Sequence, residues 1–149
     1  MELNNIKSAA SLQIGQKISI PGYTSLLKIK IDTKKNILIL YKDKEKIKQY
    51  PVAVGKSDSP TPKGIFTIEN RIPNPTWTLD GKNIPGGDPK NGLGSRWMGF
   101  KERTQYGIHG TNQPESIGKS VSSGCIRMHN HDVEELYKII PKGTKVEIN

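Results

Sequence analysis

The chain of 149 residues holds a single cysteine, Cys125, so no internal disulfide can form and crosslinks say nothing about redox compartment. A solitary thiol is either buried filler or chemistry. Long apolar runs are also missing. The longest aliphatic-aromatic stretch, Ile37 to Tyr41, is far below the roughly 20 residues of a membrane-spanning helix, and no span is expected. Hydrophobic residues make up 33% of the chain, against 15 Gly and 10 Pro, and mean hydropathy is -0.60. Such a chain builds one modest core with many turns and disfavours an all-helical bundle. At this length one domain with a short appendage is expected, not two. The start, Met1-Glu2-Leu3-Asn4-Asn5, has neither the basic nor the apolar region of a signal peptide, which implies another export route or a chain that is not full length.

Several common chemistries lack their signatures. Gly55-Lys56-Ser57 and Gly118-Lys119-Ser120 mimic the end of a phosphate-binding loop, but Tyr50 and Gln113 stand where its first glycine belongs, so ATP is not implied. No Gly-x-Ser-x-Gly elbow occurs, and the acids show no glycosidase-like pairing. What is abundant is positive charge: 23 basic less 14 acidic residues gives +9. That draws the protein toward polyanions, whether nucleic acid, anionic lipid or wall polymer. No helix-turn-helix, RNA-recognition motif or zinc finger accompanies it, so nucleic-acid binding rests on charge alone.

The pattern beyond the first 25 residues is mainly β. Leu27, Ile29 and Ile31 alternate with Lys28 and Lys30, the period of a half-buried strand. Ile37 to Tyr41, Lys46 to Val54 and Ile65 to Ile68 read as further strands, with Pro51 suited to a bulge or edge. Asn70 to Ser95, carrying four prolines, reads as a long functional loop. Arg96 to Phe100 and Tyr106 to His109 read as strands, followed by a loop to Gly124. Val133, Leu136, Tyr137 and Ile140 fall at helical spacing, with Asn130 or Asp132 as cap and Pro141 as stop. Thr144 to Ile148 is a last strand. Ahead of all this, Gly15-Gln16-Lys17-Ile18-Ser19-Ile20-Pro21 resembles the closing strand of a LysM module. Residues 1-21 are therefore read as a partial LysM-like segment, about half of a module and too little to bury a core of its own.

Two segments stand apart: Ile108-His109-Gly110-Thr111-Asn112 and Ser122-Ser123-Gly124-Cys125-Ile126-Arg127-Met128. An imidazole beside a thiol can withdraw its proton and stabilise the thiolate as imidazolium. Sixteen residues separate His109 from Cys125, enough for the chain to leave a strand and return. Gly124 permits a tight turn before the sulfur, with peptide N–H groups facing a developing oxyanion. Against this, lone His and Cys residues are more often structural. A third reading is metal, with Cys125, His129, His131 and His109 as ligands, although the spacing matches no standard zinc pattern. Arg127 either binds a carboxylate bidentately or pairs with a surface acid.

These two segments are similar to the motifs of the L,D-transpeptidase (YkuD) catalytic domain. Earlier family blocks recur in order as Tyr50-Pro51-Val52-Ala53-Val54-Gly55, Thr61-Pro62-Lys63-Gly64-Ile65-Phe66-Thr67-Ile68 and Leu93-Gly94-Ser95-Arg96-Trp97-Met98. The resemblance covers a domain at 26-148. It implies a mainly β sandwich with one helix in the C-terminal region and short extra helices, and a groove walled by the Asn70 to Ser95 segment. It implies Cys125 as nucleophile, His109 as general base and the Gly110 carbonyl as the group orienting the imidazole. N–H groups around Gly124 and Cys125 would form an oxyanion hole. Arg127 would support the loop or contact the donor peptide, and Thr111 and Ser123 fall on the substrate side. Many relatives carry a histidine at the position of Ser123, so His109 must act alone here. Trp77, Trp97 and Tyr106 line the groove or belong to the core.

The implied reaction is acyl transfer between peptidoglycan stem peptides, donor and acceptor, through a thioester with release of D-alanine. Water in place of the acceptor amine would make the same site an L,D-carboxypeptidase. A non-enzymatic wall-binding module is the alternative from another class. β-Lactams of the carbapenem class would acylate the sulfur. A monomer needing no metal or cofactor is expected, acting in the cell wall or spore envelope.

Overall fold

The computed structural model describes residues 19–20, 23–24 and 26–149. The LysM-like reading of residues 1-21 therefore falls almost wholly outside the described residues; its last two described positions, β1 (Ser19–Ile20), pair antiparallel with β2 (Tyr23–Thr24). From there β3 (Leu27–Asp32), β4 (Ile37–Lys42) and β5 (Glu45–Pro51) form an antiparallel meander. Its alternation is the one expected: Ile29, Ile31, Leu38 and Leu40 are buried while the intervening residues face outward. β6 (Val54–Gly55) follows, so the expected strand from Lys46 to Val54 is split after Pro51. Proline has no N–H to continue a ladder, and the strand stops there.

The next strand sets the architecture. β7 (Gly64–Pro73) pairs with β14 (Lys145–Ile148) through residues 64–67 and with β10 (Arg96–Phe100) from Ile68 onward. The order across the eight-stranded sheet is β13-β11-β10-β7-β14-β3-β4-β5, where β11 is Gly107–His109 and β13 is Ile126–Arg127. The two ends of β7 thus belong to two halves of the sheet. Phe66 of one half and Phe100 of the other stack with centroids 5.0 Å apart. The core is packed between them and under α1 (Asn130–Ile139), whose Val133 and Leu136 are buried. The architecture is mainly β with one helix in the C-terminal region, as expected, and among the described residues one 3-10 turn, Pro114–Ser116, is added.

The long loop expected over Asn70 to Ser95 is shorter in fact. Its first residues continue β7 because β10 supplies a pairing partner, a tertiary contact that overrides weak local propensity. Within the remainder, β8 (Trp77–Leu79) and β9 (Lys82–Ile84) form a hairpin. Its turn, Asp80-Gly81, has φ of 52° and 78°, the positive pair that a tight hairpin needs and that Asp-Gly adopts readily. Residues 117 to 124 likewise contain a strand, β12 (Ser120–Ser122), parallel to β6.

Candidate active site

Strand parity assembles the site. In the parallel pair of β11 and β13, Ile108 lies opposite Ile126 and His109 opposite Arg127. In the antiparallel pair of β10 and β11, Trp97 lies opposite His109, Met98 opposite Ile108 and Gly99 opposite Gly107. Met98, Ile108 and Ile126 are fully buried in the core. Alternation then sends Trp97, His109 and Arg127 to the other face. Cys125 immediately precedes β13, has the parity of Arg127 and stands level with Gly107. Gly107 and Gly99 carry no side chain, and the Trp97 ring lies over both of them. A Cβ at Gly107 would fall 2.9 Å from the Trp97 ring. Period two therefore sets Gly-x-His and Cys-x-Arg side by side on neighbouring strands.

His109 is buried at 5% exposure, whereas Cys125 is partly accessible. The His109 Nδ1–H donates to the Gly110 carbonyl at 2.5 Å, which in the neutral ring leaves the other nitrogen as proton acceptor. The Trp97 ring stacks on the imidazole at 5.8 Å and 27°. Burial pushes the His109 pKa down to about 4, outweighing the carbonyls of Gly110 and Leu93, and the Arg127 charge pushes the same way. Burial also raises the Cys125 pKa, opposed by a Gly107 backbone hydrogen bond and by Arg127. The thiol donates to the Gln105 carbonyl at 3.6 Å. Both shifts favour the uncharged forms, a thiol and a neutral imidazole, over the ion pair that spacing alone suggested, because neither charge is solvated where it would form.

The loop carrying the sulfur is tied down by backbone and hydroxyl hydrogen bonds. Ala53 and Arg127 exchange both main-chain hydrogen bonds at 2.9 Å, the Val54 N–H donates to Lys119 at 3.1 Å, and the Lys56 N–H donates to Ser122 at 3.0 Å. Ser122, not Ser123, organises the turn. Its buried hydroxyl donates to the Cys125 carbonyl at 2.7 Å and accepts the Gly124 N–H at 3.0 Å. That bond commits one of the two amides expected in an oxyanion hole and leaves the Cys125 N–H as the candidate donor. Ser123 is exposed. Gly124 has φ of 123°, and a Cβ there would collide with the Tyr106 ring. Tyr106 thereby roofs the turn, with the Arg103 guanidinium 5.1 Å from its centroid.

Other expected residues take varied places. Arg127 donates to the Gln113 side chain at 3.3 Å; among the described residues it forms no ion pair, so the surface-acid reading is not met. Thr111 is buried at 3%, and its hydroxyl accepts the Gln113 N–H at 2.9 Å, which makes it a shaper of the turn. Trp77 packs against Gly92 on the hairpin side. His129 and His131 stack on each other at 5.4 Å. The four-ligand metal reading is not assembled: among the described residues no three His, Cys, Asp or Glu side chains are placed to hold one ion. A cavity of about 520 Å³ adjoins the site, lined by Asn91, Ser95, Thr111, Asn112 and His129, among others; neither Cys125 nor His109 lines it. Asn130, considered above only as a helix cap, proves to bond toward the site.

Comparison with known proteins gives the family. The L,D-transpeptidase catalytic domain family matches residues 27–148, and the chain belongs to that family. YkuD of Bacillus licheniformis, an L,D-transpeptidase by designation, is 42% identical over 152 aligned residues, covering 99% of this chain and 83% of that protein. The catalytic domain of the Enterococcus faecium L,D-transpeptidase, solved by NMR, superposes with a TM-score of 0.66 at 27% identity, covering 83% of this chain and 96% of that one. An L,D-transpeptidase from Mycobacterium tuberculosis shares the fold with a TM-score of 0.69 at 16% identity; 85% of this chain aligns, spanning only 58% of that structure.

Proposed function

We propose that the protein is a cysteine-dependent L,D-transpeptidase that crosslinks peptidoglycan stem peptides outside the cytoplasmic membrane. The observation that supports this reading is the parallel pairing of β11 with β13, in which His109 stands opposite Arg127, two residues after Cys125. His109 takes the thiol proton as the sulfur attacks the carbonyl between the diamino acid and the terminal D-alanine of a donor stem. The Cys125 N–H donates to the oxyanion. Collapse breaks the peptide bond, His109 returns the proton to the departing D-alanine nitrogen, and a thioester remains. The side-chain amine of an acceptor stem then attacks the thioester, His109 removes its proton, and the thiol is restored. Coupling proton transfer to attack suits a pair that rests uncharged, since neither the thiolate nor the imidazolium must persist in the buried site. Arg127 lends positive charge beside the sulfur, and the net charge of +9 favours encounter with an anionic wall. Among the described residues no helix is long and apolar enough to cross a membrane.

Intact-mass measurement tests the reading. Incubation with a carbapenem is expected to add one adduct, mapped to Cys125, and Cys125→Ala is expected to add none. A well-folded wild type that gains no adduct overturns it. Incubation with stem tetrapeptides separates the acceptors: crosslinked dimers report the amine, and D-alanine release without dimers reports water.

A further inference from the structure

Asn130 opens α1 but does not cap it. The cap position is His129, with no side-chain hydrogen bond to the helix. The Asn130 carboxamide oxygen accepts instead from two other segments, the Ser95 N–H at 3.2 Å and the Thr111 N–H at 3.1 Å. Room for that oxygen is made by two glycines, because a Cβ at either Gly94 or Gly110 would collide with it. Thr111 N–H and Gly110 C=O are the two ends of one planar trans peptide. The Gly110 end of that plane accepts the His109 Nδ1–H at 2.5 Å, and the Thr111 end is held by Asn130. Glycine at 110 removes the side-chain restraint that would otherwise limit rotation of this plane. The bond from Thr111 to Asn130 supplies the restraint in its place. The chain of hydrogen bonds from imidazole through the peptide to the carboxamide also polarises in one direction, which strengthens each bond.

From this we infer that Asn130 is a positioning residue for His109, acting through the peptide between Gly110 and Thr111. The inference rests on the cysteine–histidine reading of the site. α1 anchors it, since the buried Val133 and Leu136 fix the helix whose first residue is Asn130.

The test compares wild type, Asn130→Ala and Asn130→Asp by two readouts: the rate of carbapenem acylation, and the downfield NMR resonance of the His109 Nδ1 proton. Removing the acceptor in Asn130→Ala is expected to slow acylation about ten- to a hundredfold, the scale of a small misplacement of a catalytic group, and to weaken or abolish the resonance. Asn130→Asp keeps an oxygen in place and is expected to restore the resonance and bring the rate back to within a few-fold. Should the alanine variant fail to fold, Asn130→Ser, whose hydroxyl is too short to reach both amides, takes its place. Wild-type rate and resonance in the acceptor-deleted variant, or an aspartate variant as impaired as the alanine one, overturn the inference. Failure of wild type to be acylated at all sinks the cysteine reading instead, while the imidazole resonance still decides the part assigned to Asn130.

Discussion

At the scale of single residues, the burial of His109 ties its protonation to stability. Its folded pKa is depressed to about 4 by burial, against about 6.5 for an unfolded histidine. The unfolded chain therefore binds more protons between these values, and stability rises with pH through that window. The contribution is fully present above about pH 6.5 and is lost as pH falls toward 4, amounting to about 2 kcal/mol between pH 7 and pH 5. Urea unfolding of wild type and His109→Gln at both pH values checks this: wild type is expected to lose about 2 kcal/mol more than the variant. Equal losses would show that the imidazole titrates normally. The thiol supplies a companion expectation. Because burial raises the Cys125 pKa, alkylation by iodoacetamide is expected to keep accelerating as pH rises past the ordinary thiol range near 8.5. A rate already flat at pH 6 would reveal a resting thiolate.

At the scale of elements, the sulfur's position depends on a turn that sequence described only partly. The sixteen residues between His109 and Cys125 were legible as a chain that leaves a strand and returns, and Gly124 announced a special backbone. The parity that aligns Gly-x-His with Cys-x-Arg emerged only with the pairing of β11 and β13. The hydroxyl that holds the turn was less legible: Ser122 and Ser123 are chemically identical, and only the fold decides which one faces inward. Asn130 was misread for a related reason, since asparagine at a helix start usually bonds within its own helix, whereas here two distant glycines admit its oxygen. Ser122→Ala leaves a buried N–H and a carbonyl without the hydroxyl and is expected to cost about 1–3 kcal/mol. Ser123→Ala, at an exposed position, is expected to stay within about 0.5 kcal/mol of wild type. Denaturant midpoints of the two variants check the contrast, and a larger effect at Ser123 would reverse the assignment. Gly124→Ala adds a Cβ at positive φ against Tyr106. It is expected to slow carbapenem acylation more than Ser123→Ala does, measured by the rate of adduct formation.

At the scale of the whole molecule, local pairings were readable and distant ones were not. The meander of β3, β4 and β5 joins neighbours through short turns, so alternation and turn residues locate it. The insertion of β14 between β3 and β7 joins Lys145 to Lys28 and to Thr67, and no local pattern encodes a partner that far along the chain. The same holds for β7, whose two ends serve two halves of the sheet. That arrangement makes the stacked Phe66 and Phe100 the seam between the half that carries His109 and the half that carries the meander. Phe100 is fully buried, so Phe100→Ala opens a cavity at the seam and is expected to cost about 3–5 kcal/mol. For a chain of this size the melting temperature should fall by about 10 °C or more. Ile65, next to Phe66 on β7 but of opposite parity, is 64% exposed, and Ile65→Ala is expected to change stability by no more than about 0.5 kcal/mol. Calorimetry of both variants is decisive: comparable losses would mean that the two faces of β7 are not divided into core and solvent, and the shared-strand architecture that brings the site together would fall with that division.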